Sequence, residues 1–328
     1  MVWRNNASFG TVRADNVFAA GNLLGGLGVG NVYHVCKSTD TAVYKNMQQY
    51  FGGLTHKNDG TAVLHTDIQT ALDATVECRN DYVIVQPSNS DYDLTAVLTM
   101  SKKCVHLICP AGLGYDIGAT NAARLHQNTI ATAVIAVSDA SIEIAGFYFK
   151  NYTGVAAITM AATSYAPNIH HNTFAISAIA AWVGSIIGAG DAGGWGKIER
   201  NWFVSQGGGA QTCAAGIIQI QASATAAQVN HNQITVGDTQ IATIGIANYA
   251  VKGNTNFNIF SESGGSGVAD GGTITKCIAI HASGCAIGNI GAVATGQMLT
   301  GGTTLHSYAE NYGAYIANTG TTNGSVEA

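Results

Sequence analysis

The chain has 328 residues, 47 % of them apolar, which is ample material for a core and excludes disorder over most of its length. Charged residues are only 10 %, against about 25 % in an average soluble protein, while glycine occurs 41 times and proline three times. The net charge of −5 offers no basic field, which argues against a nucleic-acid partner, and so bare a surface must be covered by Ser, Thr, Asn and Gln or by other subunits.

Residues 1–35 form a Gly/Ala/Asn-rich lead. Its cluster Gly21–Gly30 lacks the strand–helix setting of a nucleotide loop and reads as an arm that docks on a neighbour. Residues 36–130 read as a capping region with the first coils. Within it, Thr66-Asp-Ile-Gln69 has the form of a capping box, and Ile68, Ala71, Leu72 and Val76 follow at helical spacing, which predicts a helix over 67–76. Two alternating segments follow, Asp81–Gln86 and Lys103–Cys109, each stopped by a proline and each reading as a strand. The seven cysteines show no C-x-x-C pair. Strand alternation puts Cys104 and His106 on one side and Cys109 on the other, so neither a metal site nor a cofactor is expected. The uncharged run Thr173–Gly190 carries serines and glycines inside a repeat, so no membrane span is expected.

Residues 131–318 carry that repeat. Ile169-His-His-Asn172-Thr-Phe174 aligns with Ile198-Glu-Arg-Asn201-Trp-Phe203 and Val229-Asn-His-Asn232-Gln-Ile234. Ile144-Ala-Gly-Phe147-Tyr-Phe149 fits upstream with Phe in the Asn place, and Val251–Asn254 and Ala286–Asn289 continue it, at intervals of 22 to 35 residues. An inward apolar residue, a corner at Asn and a second inward apolar residue make one coil of a parallel β-solenoid. The amides of Asn172, Asn201, Asn232, Asn254 and Asn289 are then expected to stack at one corner, with Asn taking up the left-handed backbone there. Residues 319–328 are a polar tail.

A capped helix, then "DYVIVQP", then "KKCVHLICPAG", then coils marked I-x-x-N-x-F resembles the right-handed parallel β-helix of the pectin-lyase-like superfamily. The segment "GNVYHV" ahead of "DIQTALDA" is similar to β-helix proteins of tailed bacteriophages. The resemblance covers about residues 30–295 and implies an all-β right-handed solenoid with one N-terminal capping helix. It spans polysaccharide lyases, tailspike hydrolases and non-enzymatic virion components, so function has to be argued from sites.

On the outward columns Glu199 stands without a second carboxylate, so the paired acids of a glycosidase are not in view. A glycan-binding candidate remains in Asp191, Trp195, Lys197, Glu199, Arg200 and Trp202, which combine acids, bases and aromatic faces. The expected function is therefore a non-enzymatic capsid decoration or stabilising protein, a homotrimer on the virion surface after assembly in the host cytoplasm. Residues 1–35 would dock on the major capsid protein, and the charge-poor stretch 277–318 would serve as subunit interface. The alternative is a tailspike-like receptor-binding or glycan-cleaving protein.

Overall fold

The computed structural model of the chain describes residues 30–51, 60, 62–113, 122–127, 133–150, 156–176, 183–205, 212–237, 241–263, 273–281, 283–292, 297–301, 306–309, 312–313 and 322–323. Of the expected arm over residues 1–35, residues 1–29 lie outside the described residues, as do most of the tail and the side chains of the 277–318 stretch beyond Gly291. Val32–Val35 is no arm but a strand paired into the solenoid with Tyr33 and Val35 buried, because its alternating apolar residues fit the first coil.

Every strand pairing is parallel, and the strands form three sheets of 12, 9 and 9 members, here sheets 1, 2 and 3. Each coil contributes one short strand to sheet 1, turns a tight corner into sheet 2, and returns through sheet 3. The result is an all-β parallel solenoid of the right-handed type with about 7 turns, as the repeat predicts. Its core is one continuous cluster running the length of the coils.

Alternation decides which residues enter that core. On sheet 1 the register stacks Leu107, Ile144, Ile169, Ile198 and Val229, each 2 % exposed or less. On sheet 2 it stacks Leu125, Phe149, Phe174, Phe203 and Ile234, all fully buried. The three phenylalanine rings lie face to face at 4.7 Å, because a parallel ladder repeats a side chain at the strand spacing and an aromatic ring fills that spacing.

The asparagine ladder is present, with one member different. Asn172, Asn201, Asn232, Asn258 and Asn289 are each at most 2 % exposed. The backbone N–H and Nδ2 of each of the first four donate to Oδ1 of the next, over 2.9–3.1 Å. Each Nδ2 also reaches back to a carbonyl one coil earlier, as from Asn201 to Ile169 O at 2.9 Å. Phe147, in the Asn place of the preceding coil, closes the ladder by donating its N–H to Asn172 Oδ1.

Asn254 is not on this ladder. The pairing of Val229 with Thr255 shifts that coil by four residues, so the corner is Asn258 and the coil reads Thr255-Asn-Phe-Asn258-Ile-Phe260. The inward residue there is a buried threonine, whose Oγ1 accepts from Asn248 Nδ2 at 3.1 Å, and a polar residue in that place hid the alignment.

The left-handed backbone is also displaced by one residue. It falls on the residue before each ladder asparagine: His171, Arg200, His231 and Phe257 have φ between 53° and 56°, and Gly288 has 64°. The asparagines contribute through their amides rather than their backbone angles.

At the N-terminal end, helix α1 spans Thr41–Tyr50 and helix α2 spans Ile68–Ala74. The sequence pattern predicted only the second. Helix α1 sets Val43, Tyr44 and Met47 at helical spacing, but they are only half-buried and none of its residues is fully buried. Helix α2 buries Ile68, Ala71 and Leu72 against the first coils. Its cap is Asp67, which accepts from Thr70 N at 2.8 Å, one residue later than the predicted box. Gln69 is not the box partner, since its Oε1 accepts from Thr99 N at 2.8 Å. The helix ends before Val76, which is exposed.

Candidate functional site

Sheet 1 presents two outward columns. The first holds Tyr82, His106, Glu143, Asn168, Lys197, Gln228 and Asn254; the second includes His170, Glu199, Asn230 and Asn256. Most of the titratable chemistry near the middle of this face gathers at Glu143. His106 Nδ1 lies 2.6 Å from Glu143 Oε2, and His170 Nε2 lies 2.8 Å from Oε1, so one carboxylate bridges imidazoles from the coil before and the coil after. Asn168 Nδ2 donates to Oε1 at 3.2 Å.

The partners are themselves held. The His106 ring stacks on Tyr82 at 4.3 Å, its Nε2 lies 2.9 Å from Asn80 Oδ1, and His170 Nδ1 meets His171 Nδ1 at 2.7 Å. Burial alone would raise the Glu143 pKa, but hydrogen bonds from the two imidazoles and their charge outweigh it and bring the group down to about 2. His171 is pushed below its ordinary value, first by burial and then by His170 and Arg200. A carboxylate this far depressed, with its oxygens engaged by three donors, is a poor proton acceptor. The arrangement ties three coils together. The repeat does not single out Glu143, which stands before the inward Ile in a column that runs Glu143, Asn168, Lys197, Gln228 and so holds one carboxylate in isolation.

A second cluster sits near the N-terminal end of sheet 2. Asp91 takes Arg124 Nε and Lys150 Nζ on its two oxygens at 2.7 Å each, and His126 Nδ1 lies 2.8 Å from Asp93 Oδ1. Burial would raise the Asp91 pKa, but Lys150 and Arg124 outweigh it and hold it low. One ligand atom each from Asp91, Asp93 and His126 falls within 4.8 Å of the others, yet Asp91 is already neutralised by two cations. Cation binding there would have to displace both.

The six residues singled out from sequence are spread around the coil. Asp191 and Trp195 lie on the turn leading from sheet 3 to sheet 1, Lys197 and Glu199 face outward on sheet 1, Arg200 sits at the corner, and Trp202 faces outward on sheet 2. Among the described residues no hydrogen bond or ion pair joins any two of them, and Asp191 accepts instead from Tyr165 OH at 3.4 Å. Trp195 is 68 % exposed, whereas Trp202 is half-buried with its indole N–H enclosed and without a hydrogen-bond partner.

Comparison with known proteins adds no relative. No family model, curated protein or solved structure matches the chain. The geometry therefore stands alone: a rigid, hydrogen-bonded rod whose central outward carboxylate is locked.

Exposed apolar side chains mark a different face. On sheet 2 the outward column runs Thr173, Trp202, Gln233 and then Ile259 and Ile290, direct register neighbours that are 44 % and 47 % exposed. Phe257, at the adjoining corner, is equally open and stacks on His231 at 5.2 Å.

Proposed function

We propose that the chain is a structural, non-enzymatic virion protein of a tailed phage, a decoration or stabilising protein that assembles as a homotrimer on the capsid surface. The observation that carries this reading is the exposed apolar strip of Phe257, Ile259 and Ile290, at the opposite end of sheet 2 from its charged cluster. Paired solvent-facing isoleucines on neighbouring strands contribute little to a monomer, but they suit the charge-depleted centre of a subunit contact. Cyclic symmetry lets three parallel rods bury such strips against one another. The locked Glu143 and the dispersed Asp191–Trp202 residues fit a rod whose surface serves assembly rather than turnover. The resemblance to phage β-helix proteins supplies the virion setting, with the part of the 1–35 segment ahead of the strand Val32–Val35 as what meets the major capsid protein.

Light scattering on the size-exclusion peak tests the assembly. A particle of about 101 kDa, three times the 33.7 kDa chain, is expected, and Ile259→Lys with Ile290→Lys should dissociate it. A wild-type monomer near 34 kDa at micromolar concentration removes the argument.

The exposed ring of Trp195 favours a second reading, a tailspike-like glycan binder, since a free indole face is what stacks on sugar. Retention of a bacterial surface polysaccharide by the wild type and its loss in Trp195→Ala would favour that reading over the first.

A further inference from the structure

All seven cysteines are free thiols, and they fall into two groups. Cys36, Cys109, Cys213 and Cys277 are buried and Cys285 is half-buried. Cys78 and Cys104 stand apart. Both lie on the corner that leads into sheet 1, Cys78 ahead of the strand Asp81–Val85 and Cys104 ahead of the next, Val105–Ile108. The register pairs Asp81 with Val105, so the two corners lie one above the other. They are tied by backbone as well, with Cys78 N–H donating to Lys103 O at 2.9 Å.

Both cysteines have left-handed backbone, φ 60° and 57°, and Cys78 is near enough to add to burial in pushing the Cys104 thiol up. Cys78 is exposed and Cys104 half-buried. Two cysteines on stacked turns joined by a backbone hydrogen bond, with one thiol open to solvent, are placed as a disulfide across neighbouring coils requires.

We propose that Cys78 and Cys104 are an oxidisable pair that closes into an intramolecular disulfide and staples the first coil of the solenoid to the second. The oxidant is a small-molecule disulfide. The Cys78 thiolate, the more accessible, attacks one sulfur of it, forming a mixed disulfide and expelling one small thiolate. Cys104 then gives up its proton to solvent, and its sulfur attacks Cys78, expelling the second small thiolate. Two protein thiols are oxidised and one small disulfide is reduced to two thiols. Burial first, and then the neighbouring Cys78, push the Cys104 thiol up, which suits Cys104 to the resolving role. Lys103, beside Cys104, is ion-paired with Glu77 at 3.3 Å, and the Glu77 charge outweighs it at Cys104, which keeps that thiol protonated until the mixed disulfide forms.

The bond would close a ring around one whole coil, including the strands Asp81–Val85, Tyr92–Leu94 and Leu98–Met100. It would hold the end of the rod where helix α2 packs, so opening that end would no longer free the first coil from the second.

The test uses the full chain equilibrated with oxidised glutathione and, in parallel, with dithiothreitol. Both samples are alkylated, digested and read by non-reducing mass spectrometry. A peptide cross-linked through Cys78 and Cys104 is expected only in the oxidised sample, together with a thermal midpoint higher by roughly 2–6 °C. Cys78→Ser and Cys104→Ser should each abolish that shift. Full alkylation of both residues after oxidation, a glutathione adduct left unresolved on Cys78, or pairing with any other cysteine would overturn the proposal, and these readouts need only the wild-type chain.

Discussion

The coil from Thr255 to Phe260 offers the sharpest test of the fold, because two asparagines four residues apart have opposite roles. Asn258 is fully buried. Its Oδ1 accepts from Asn232 N at 2.9 Å and Asn232 Nδ2 at 3.0 Å, and its Nδ2 donates to Asn289 Oδ1 and Val229 O at 2.9 Å each. In Asn258→Ala the buried Asn232 N–H loses its acceptor, at a cost of about 1–3 kcal/mol, and each of the two lost Nδ2 bonds adds about 1 kcal/mol. The total is about 3–5 kcal/mol. Asn254 faces outward, half-buried, and only its backbone N–H and carbonyl take part in hydrogen bonds among the described residues. Asn254→Ala should therefore stay within about 0.5 kcal/mol. Guanidinium denaturation followed by circular dichroism would show a large midpoint shift for the first variant and almost none for the second. Equal losses, or a larger one for Asn254→Ala, would refute the register and with it the ladder.

Two further outcomes follow from the core and from acid titration. Phe203→Ala removes the end ring of the phenylalanine stack, between Phe174 and Ile234, and should cost about 3–5 kcal/mol by the same denaturation, with a loss under 1 kcal/mol speaking against a close-packed column. His34 is lowered to about 4 by burial, so the unfolded chain takes up its proton first and stability falls as pH drops from 6.5 to 4. Glu143, lowered to about 2, contributes stability that is present above pH 4.5 and lost between 4.5 and 2, by at most about 3 kcal/mol. Thermal midpoints should thus decline in both windows, with His34→Phe flattening the upper and Glu143→Gln the lower. An unchanged wild-type midpoint from pH 7.5 to 4.5 would contradict the buried neutral imidazole.

Much of this protein is legible in local pattern. Alternation at Asp81–Val85 and the I-x-x-N-x-F units at Ile169, Ile198 and Val229 specify which side chains turn inward, because strand geometry sends successive residues to opposite faces whatever lies elsewhere. What tertiary structure decided is which residues lie above and below each other. Thr255 occupies an apolar column because Asn248 satisfies its hydroxyl, and that pairing cannot be read from either residue alone. Glu143 meets imidazoles 37 residues earlier and 27 later, and Cys78 meets a thiol 26 residues on, across loops of unequal length. Side-chain direction is set by backbone sterics within a few residues. The stacking of one coil on the next is set by the lengths of the turns between strands and by the hydrogen bonds that lock them, energies that exist only once the coils are in contact.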